Sequence, residues 1–214
     1  MLGVDEVGRG AWAGPLVVGA VLADPTSLAE LLRLKRSARQ NRETSAIFYD
    51  SKALSRKKRE VLANDIRDRS LKVGLGVVSA EEISSLGLSA CLTLGFLRAC
   101  SEMGIQDEEI HLDGNFNYLK GTEYEEQVVC KVKGDTLDPL IAGASIVAKV
   151  FRDAVMAEAS VHYPYYGFED NVGYPSKTHI YGLQGWGMCP EHRDRWSFAT
   201  KLPFGPLSVK RSEV

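Results

Sequence analysis

The sequence predicts an α/β fold in which five strands alternate with helices. Three observations lead there. Short runs rich in β-branched and apolar residues recur five times at strand length, apolar residues at three- and four-residue spacing mark helices among them, and glycine, proline or a short polar residue stands at most junctions. At 214 residues, with 44% hydrophobic and 25% charged content, the chain has the size of one ordinary globular domain, so a single domain over 1–214 is expected.

The first strand is expected over Met1–Val7, apolar up to the pair Asp5 and Glu6, and the second over Pro15–Ala23, where PLVVGAVLA is rich in β-formers. The glycine-rich stretch from Gly8 to Gly14 joins them as a turn. After Ser27 an apolar helix start gives way to a basic, polar stretch, KRSARQNRETS, that reads as a surface excursion. Ser55 can cap a helix running to about Arg69, Lys72–Ser79 reads as the third strand, and a helix follows from about Leu88 to Met103. Glu109–Asp113 (EIHLD) is the fourth strand and Gln127–Val132 (QVVCKV) the fifth, leading into Lys133, Gly134 and Asp135. From Pro139 a long helix is marked by Leu140, Ala144, Val147, Phe151 and Val155 facing the core, with Ser145, Lys149 and Arg152 on its polar side. Beyond Tyr163 the composition turns to Gly, Pro, Tyr, His and Trp, with short helices expected near 177–185 and 191–195 and no separate core.

Composition also excludes several classes. No apolar run approaches the roughly 20 residues a membrane span needs, and Met1 leads almost directly into a strand, so a soluble cytoplasmic protein without membrane contact is expected. Cys91, Cys100, Cys130 and Cys189 lack Cys-x-x-Cys spacing and read as reduced core thiols. A net charge of −2 argues against binding nucleic acid through bulk positive charge, though a local basic groove is compatible with it. The glycine stretch lacks the Gly-Lys-Ser/Thr ending of a phosphate-binding loop, which makes an NTPase or dinucleotide enzyme a weak alternative.

Asp5, Glu6, Asp113 and Asp135 stand where strands end, and acids so placed in an α/β sheet converge on one edge. Clustered carboxylates repel one another unless cations neutralise them, and hard oxygen donors favour Mg²⁺ or Mn²⁺ over zinc, pointing to two-metal phosphodiester cleavage. Asp5 and Glu6 are consecutive, so a regular strand sends them to opposite faces and a twist must bring both inward or leave one in support. Taken singly, each acid reads as a solvated surface residue. Gly8, Arg9 and Gly10 offer backbone N–H groups to a close-fitting partner, or simply form a tight turn. Asp50-Ser51-Lys52 precedes a helix, where Ser51 and Lys52 could meet a phosphate. Tyr163, Tyr165, Tyr166, Phe168 and Tyr174 could stack on a base or sugar, but most are expected to close the core. His111 sits mid-strand and reads as structural, while His179 and His192 fall in a polar tail with no metal-ligand spacing.

Together these motifs resemble the ribonuclease HII family over nearly the whole chain. The resemblance rests on GVDEVGRGAWAGPLVVGAV at 3–21, DSKALS at 50–55, LDG at 112–114, KGD at 133–135, GASIVAKVFRD at 143–153 and GYP at 173–175. It implies a ribonuclease H-like fold, a central mixed five-stranded sheet with helices on both sides, and a helical C-terminal segment over 160–214 that covers the substrate. It carries the four metal-binding carboxylates onto Asp5, Glu6, Asp113 and Asp135, with Asp153 the runner-up in a structural ion network. It further implies that the Gly8-Arg9-Gly10 backbone reads a ribose 2′-OH and that Tyr174 pairs with it. On this footing Asp5 bridges two Mg²⁺ or Mn²⁺ ions, with Glu6 and Asp113 at one and Asp135 at the other. The implied reaction hydrolyses the RNA strand of RNA/DNA hybrids and cuts 5′ of ribonucleotides embedded in DNA, leaving 5′-phosphate and 3′-hydroxyl ends.

Two departures bear on substrate grip: Asn171-Val172 stands where bacterial members often have His-Lys, and residues 33–47 are longer than usual. Related ribonuclease HIII proteins carry an extra N-terminal domain, and Met1 lies four residues before Asp5, which favours the HII type. The C-terminal PLSVKRSEV has no clear clamp-binding motif, and a monomer is expected. Two other readings stand beside this one: another metal-dependent nuclease or strand-transfer enzyme on the same fold, and a nucleic-acid-binding or structural domain without catalysis.

Overall fold

The computed structural model describes residues 1–31 and 56–199. Its strands are β1 (Leu2–Val7), β2 (Leu16–Leu22), β3 (Lys72–Val78), β4 (Ile110–Asp113) and β5 (Val128–Lys131). They form one mixed sheet in the order β3-β2-β1-β4-β5. The glycine turn makes β1 and β2 an antiparallel hairpin with Asp5 opposite Gly19, and β3 continues antiparallel beside β2. β4 and β5 add in parallel on the other side of β1.

Period-two patterning sorts the strand residues between two cores. Leu2, Val4, Leu16, Val18, Ala20, Ile110 and Leu112 face one side with Leu92 and Phe96 of α4 (Leu88–Cys100). Val21 faces the other side with Leu140, Ala144 and Val147 of α6 (Pro139–His162) and Leu62 and Ile66 of α2 (Arg56–Arg69). Every residue of β2 is buried, as expected of a strand covered on both faces. The long helix begins at Pro139, where Asp138 caps it by accepting from the N–H groups of Leu140 and Ile141. It lies close to the sheet because β1 and β2 present glycine: a Cβ at Gly19 would stand 2.4 Å from the Ala144 carbonyl oxygen. That approach brings Ser145 beside Asp5.

The expected strands and long helices are present, with differences at the junctions. The described part of α1 spans residues 25–31. An extra helix, α3 (Ala80–Leu86), precedes α4, started by the reciprocal capping pair Ser79 and Glu82 and stopped by Gly87 at φ 80°. Asp135 does not end a strand; it lies in the first turn of the short helix α5 (Gly134–Leu137). α7 (Phe168–Asn171) and α8 (Lys177–Trp186) follow, but residues 191–195 form a turn and not a helix. Their N–H groups go elsewhere: that of Arg193 donates to the Trp12 carbonyl, and His192 bridges Ala13.

The segment after Tyr163 does build a cluster of its own, with Tyr166, Phe168, Leu183 and Phe198 packed on Met156, Ala159 and Ala13. His179 and His192, expected in a polar tail, are buried within it, and Arg152, expected on an open helix face, is fully buried. Tyr165 and Tyr174 stay outside the core while Tyr166 and Phe168 close it. Of the cysteines, Cys91 and Cys100 are buried and Cys130 is exposed on β5, an edge strand with no neighbour on its outer side in this sheet. No helix among the described residues is long and apolar enough to cross a membrane.

Candidate active site

Strand alternation, with no break, sends the consecutive acids Asp5 and Glu6 to opposite faces of β1, and what links them is their common electrostatic coupling to Asp113. β1 runs unbroken through Asp5 and Glu6, so Asp5 turns toward α6 and Ser145 while Glu6 turns to the opposite face. Asp113, at the end of the adjacent parallel strand β4, acts electrostatically on both. Burial raises the Asp5 pKa to about 8; the Ser145 hydroxyl offsets part of this, and the charges of Glu6 and Asp113 add to it. Burial also raises Glu6, against the nearby Arg9 guanidinium, whose Nη1 donates to Glu6 Oε1 at 3.1 Å. Asp113 Oδ1 accepts the Gly134 N–H at 2.7 Å, which ties β4 to α5 and brings the exposed Asp135 next in sequence.

Among the described residues, no group of three or more His, Cys, Asp or Glu is gathered tightly enough to form a ready ion site. The donor chemistry nevertheless suits a hard divalent cation. All the candidate groups are carboxylates, and Asp5 is held protonated near neutrality by burial and like charge, the penalty a cation would remove.

The glycine turn is fixed by two buried arginines whose guanidinium groups donate to backbone carbonyls. Arg152 donates to the carbonyls of Pro15 (2.8 Å), Ala13 (3.0 Å) and Val172 (2.7 Å). Arg193 donates to the carbonyls of Gly14 and Arg9. Burial lowers both pKa values, Arg193 to about 9 with Arg152 adding to the effect. Backbone bonds complete the clasp, the N–H groups of Trp12 and Ala13 meeting the Gly173 carbonyl. Gly8 has φ 91°, and a Cβ there would stand 2.2 Å from Arg152 Nε, so only glycine fits. Gly10 is open by contrast: a Cβ there would meet only Tyr174, 3.9 Å from Cε1. Tyr174 is partly exposed, and the Arg152 guanidinium lies 5.6 Å from its ring centre. The structure thus couples Asp5, Glu6 and Asp113 electrostatically and places Gly10 beside Tyr174.

Ser51 and Lys52, with the basic stretch 33–47, lie outside the described residues. Asp153 belongs to an ion network with Lys149 (2.6 Å) and Arg59 (3.3 Å). His111 is structural, its ring between Asp138 and Glu109; hydrogen bonding to Asp138 raises its pKa. Burial works against the Asp138 charge, but His111 and Lys131 hold its pKa well below the carboxylate range. Asn171 bonds to the Tyr166 carbonyl, to Ser176 Oγ and to the Gly173 N–H, and Val172 takes the left-handed conformation at φ 44°. This departure shapes the turn before Tyr174. The sequence placed Ser145 on a polar helix side and left His179 and His192 open, and gave no sign of Arg193, whose partners Arg9 and Gly14 lie 184 and 179 residues away.

The sequence matches the family model described as ribonuclease HII over residues 2–201. A ribonuclease HII of Streptomyces avermitilis is 39% identical over 201 residues, covering 94% of this chain and 78% of its own. Among solved structures, the ribonuclease H2 of Pyrococcus horikoshii OT3 is similar with a TM-score of 0.74 and 26% identity, over 94% of this chain and 95% of its own. The ribonuclease HII of Archaeoglobus fulgidus, solved in complex with PCNA, gives a TM-score of 0.73 at 25% identity over 100% of this chain and 97% of its own.

Proposed function

The chain belongs to the ribonuclease HII family, ribonuclease H endonucleases, and we propose that it cuts the RNA strand of RNA/DNA hybrids and the 5′ side of ribonucleotides embedded in duplex DNA, leaving 5′-phosphate and 3′-hydroxyl ends. The observation that carries this is the electrostatic coupling of Asp5, Glu6 and Asp113 near the C-terminal ends of the neighbouring strands β1 and β4, together with the turn that leaves Gly10 beside Tyr174. In this proposal Asp5, Glu6, Asp113 and Asp135 hold two divalent cations, Mg²⁺ or Mn²⁺. When bound, such ions supply Lewis-acid activation of water and charge stabilisation at the leaving 3′ oxygen.

The protein's own groups do the rest. Buried Asp5, protonated near neutrality, would release its proton to become an anionic oxygen donor when a cation is held there. Gly8, Arg9 and Gly10 offer backbone N–H groups to the ribose, and the bare Cα of Gly10 leaves room for the sugar against Tyr174. Ser51 and Lys52 are assigned to backbone phosphates. The chain acts as one catalytic domain over 1–214, with 160–214 covering the duplex, as a monomer in the cytoplasm.

The test is cleavage of an end-labelled DNA duplex carrying one ribonucleotide, with Mg²⁺, Mn²⁺ or EDTA, beside an all-DNA control. Divalent-dependent cutting 5′ of the ribonucleotide, lost in Asp113→Asn and absent from the control, is expected. Cutting of all-DNA duplexes, or full activity in Asp113→Asn, would overturn the assignment.

A further inference from the structure

A buried pair of histidines stands directly behind Tyr174. His179 is fully buried and His192 nearly so, enclosed by Trp12, Tyr166, Phe168 and Phe198. Their rings meet edge to edge, Nε2 to Nε2, at 3.0 Å. The far nitrogen of each ring meets the backbone: His179 Nδ1 lies 2.9 Å from the Tyr174 carbonyl oxygen, and His192 Nδ1 accepts the Cys189 N–H at 2.9 Å.

Those two backbone groups decide the protons. A carbonyl only accepts, so His179 Nδ1 carries a hydrogen and its Nε2 a lone pair. A peptide N–H only donates, so His192 Nδ1 is bare and its Nε2 carries the hydrogen. The central contact is then a satisfied N–H···N bond between two neutral rings, with the Cys189 thiol 3.2 Å from His192 Nδ1 as a further contact. The Cys189 carbonyl oxygen also lies 3.2 Å from His192 Nδ1, so the polarity is set at the His179 end, where the Tyr174 carbonyl admits only a donor, and the shorter Cys189 N–H contact agrees with it.

The relay has one output. Its last donor holds the Tyr174 carbonyl, while the Tyr174 N–H is held by the Asn171 carbonyl at 2.9 Å, so the residue is pinned on both sides of its Cα. Its first ring sits in the turn that bridges Ala13 and adjoins Arg193, which holds Arg9 and Gly14. The pair therefore ties the turn bearing Tyr174 to the turn bearing Gly10.

We propose that His179 and His192 are positioning residues for ribose recognition, setting the Tyr174 ring against Gly10 through a fixed hydrogen-bond relay. This rests on the ribonucleotide-cleaving function proposed above. In a side-chain amide the Asn nitrogen stands near the place of imidazole Nδ1, so His179→Asn keeps the donor to Tyr174, whereas His179→Leu removes it.

The experiment is a double-mutant cycle on wild-type protein, His179→Leu, Tyr174→Ala and the double variant, reading kcat and KM on a duplex with one embedded ribonucleotide. Loss of the relay is expected to lower kcat/KM about tenfold, the effect of one well-placed hydrogen bond. In the Tyr174→Ala background the same substitution is expected to change little, and His179→Asn should restore activity to within about threefold of wild type. Equal losses in both backgrounds, or no rescue by asparagine, would overturn the proposal. A second measurement uses only the wild-type protein: ¹⁵N NMR of the imidazoles should show His179 protonated on Nδ1 and His192 on Nε2, and the opposite tautomers or a charged ring would refute the relay. If the wild type fails to cut the duplex, the functional assignment fails instead, and the tautomer result still decides whether the relay exists.

Discussion

Lowering the pH should destabilise this protein through His192 by an amount the structure allows to be worked out. Burial first, and the neighbouring His179 second, lower the His192 pKa from 6.5 to about 3. The folded state therefore holds this ring neutral where the unfolded chain protonates it. Because the unfolded state binds the extra proton, the stabilising contribution is complete above pH 6.5 and is lost as the pH falls toward about 3. At about 1.36 kcal/mol per pH unit, the loss between pH 6.5 and pH 5 is about 2 kcal/mol. For a chain of this length, that corresponds to a fall of about 4–8 °C in Tm. His179, also lowered by burial, acts in the same direction. The assay is urea unfolding of wild type and His192→Gln at pH 7 and pH 5. Carboxylate titration is common to both proteins, so the stability gap between them isolates the histidine. The wild-type advantage should shrink by about 2 kcal/mol at the lower pH. A gap that stays constant within about 0.5 kcal/mol would refute a neutral buried ring, and a gap that widens would mean His192 is charged in the folded state.

The glycine turn gives a contrasting pair. Gly8→Ala forces a Cβ onto Arg152 at φ 91° and should cost about 2–3 kcal/mol by thermal unfolding, whereas Gly10→Ala should stay within about 1 kcal/mol of wild type while raising KM for the ribonucleotide-bearing duplex. Matching melts for the two variants would contradict the different surroundings of the two positions. Val172 is β-branched yet left-handed at φ 44°, so Val172→Asn should stabilise the fold by about 1 kcal/mol; a drop in Tm would show that its side-chain packing outweighs the backbone strain.

The amino-acid sequence by itself determined the five strands, the long helix from Pro139 and the three acids Asp5, Glu6 and Asp113. These follow from local rules: alternation on a pleated strand, a helical repeat, and glycine where the chain must turn. Strand ends offered Asp135 as a fourth acid, and the motif resemblance picked Tyr174 from its aromatic neighbours and preferred Asp135 to Asp153. Tertiary structure alone decided that Asp5 and Glu6, on opposite faces, both couple to Asp113, since that depends on Asp113 arriving on the adjacent strand. It also moved Asp135 from an expected strand end to a helix turn, and buried Arg152, Arg193, His179 and His192. Periodicity tells which face a side chain occupies but not what lies against that face. A polar residue in mid-helix reads as solvated unless its partner is known, and the carbonyls that Arg152 bonds at Ala13 and Pro15 lie 139 and 137 residues away in the chain.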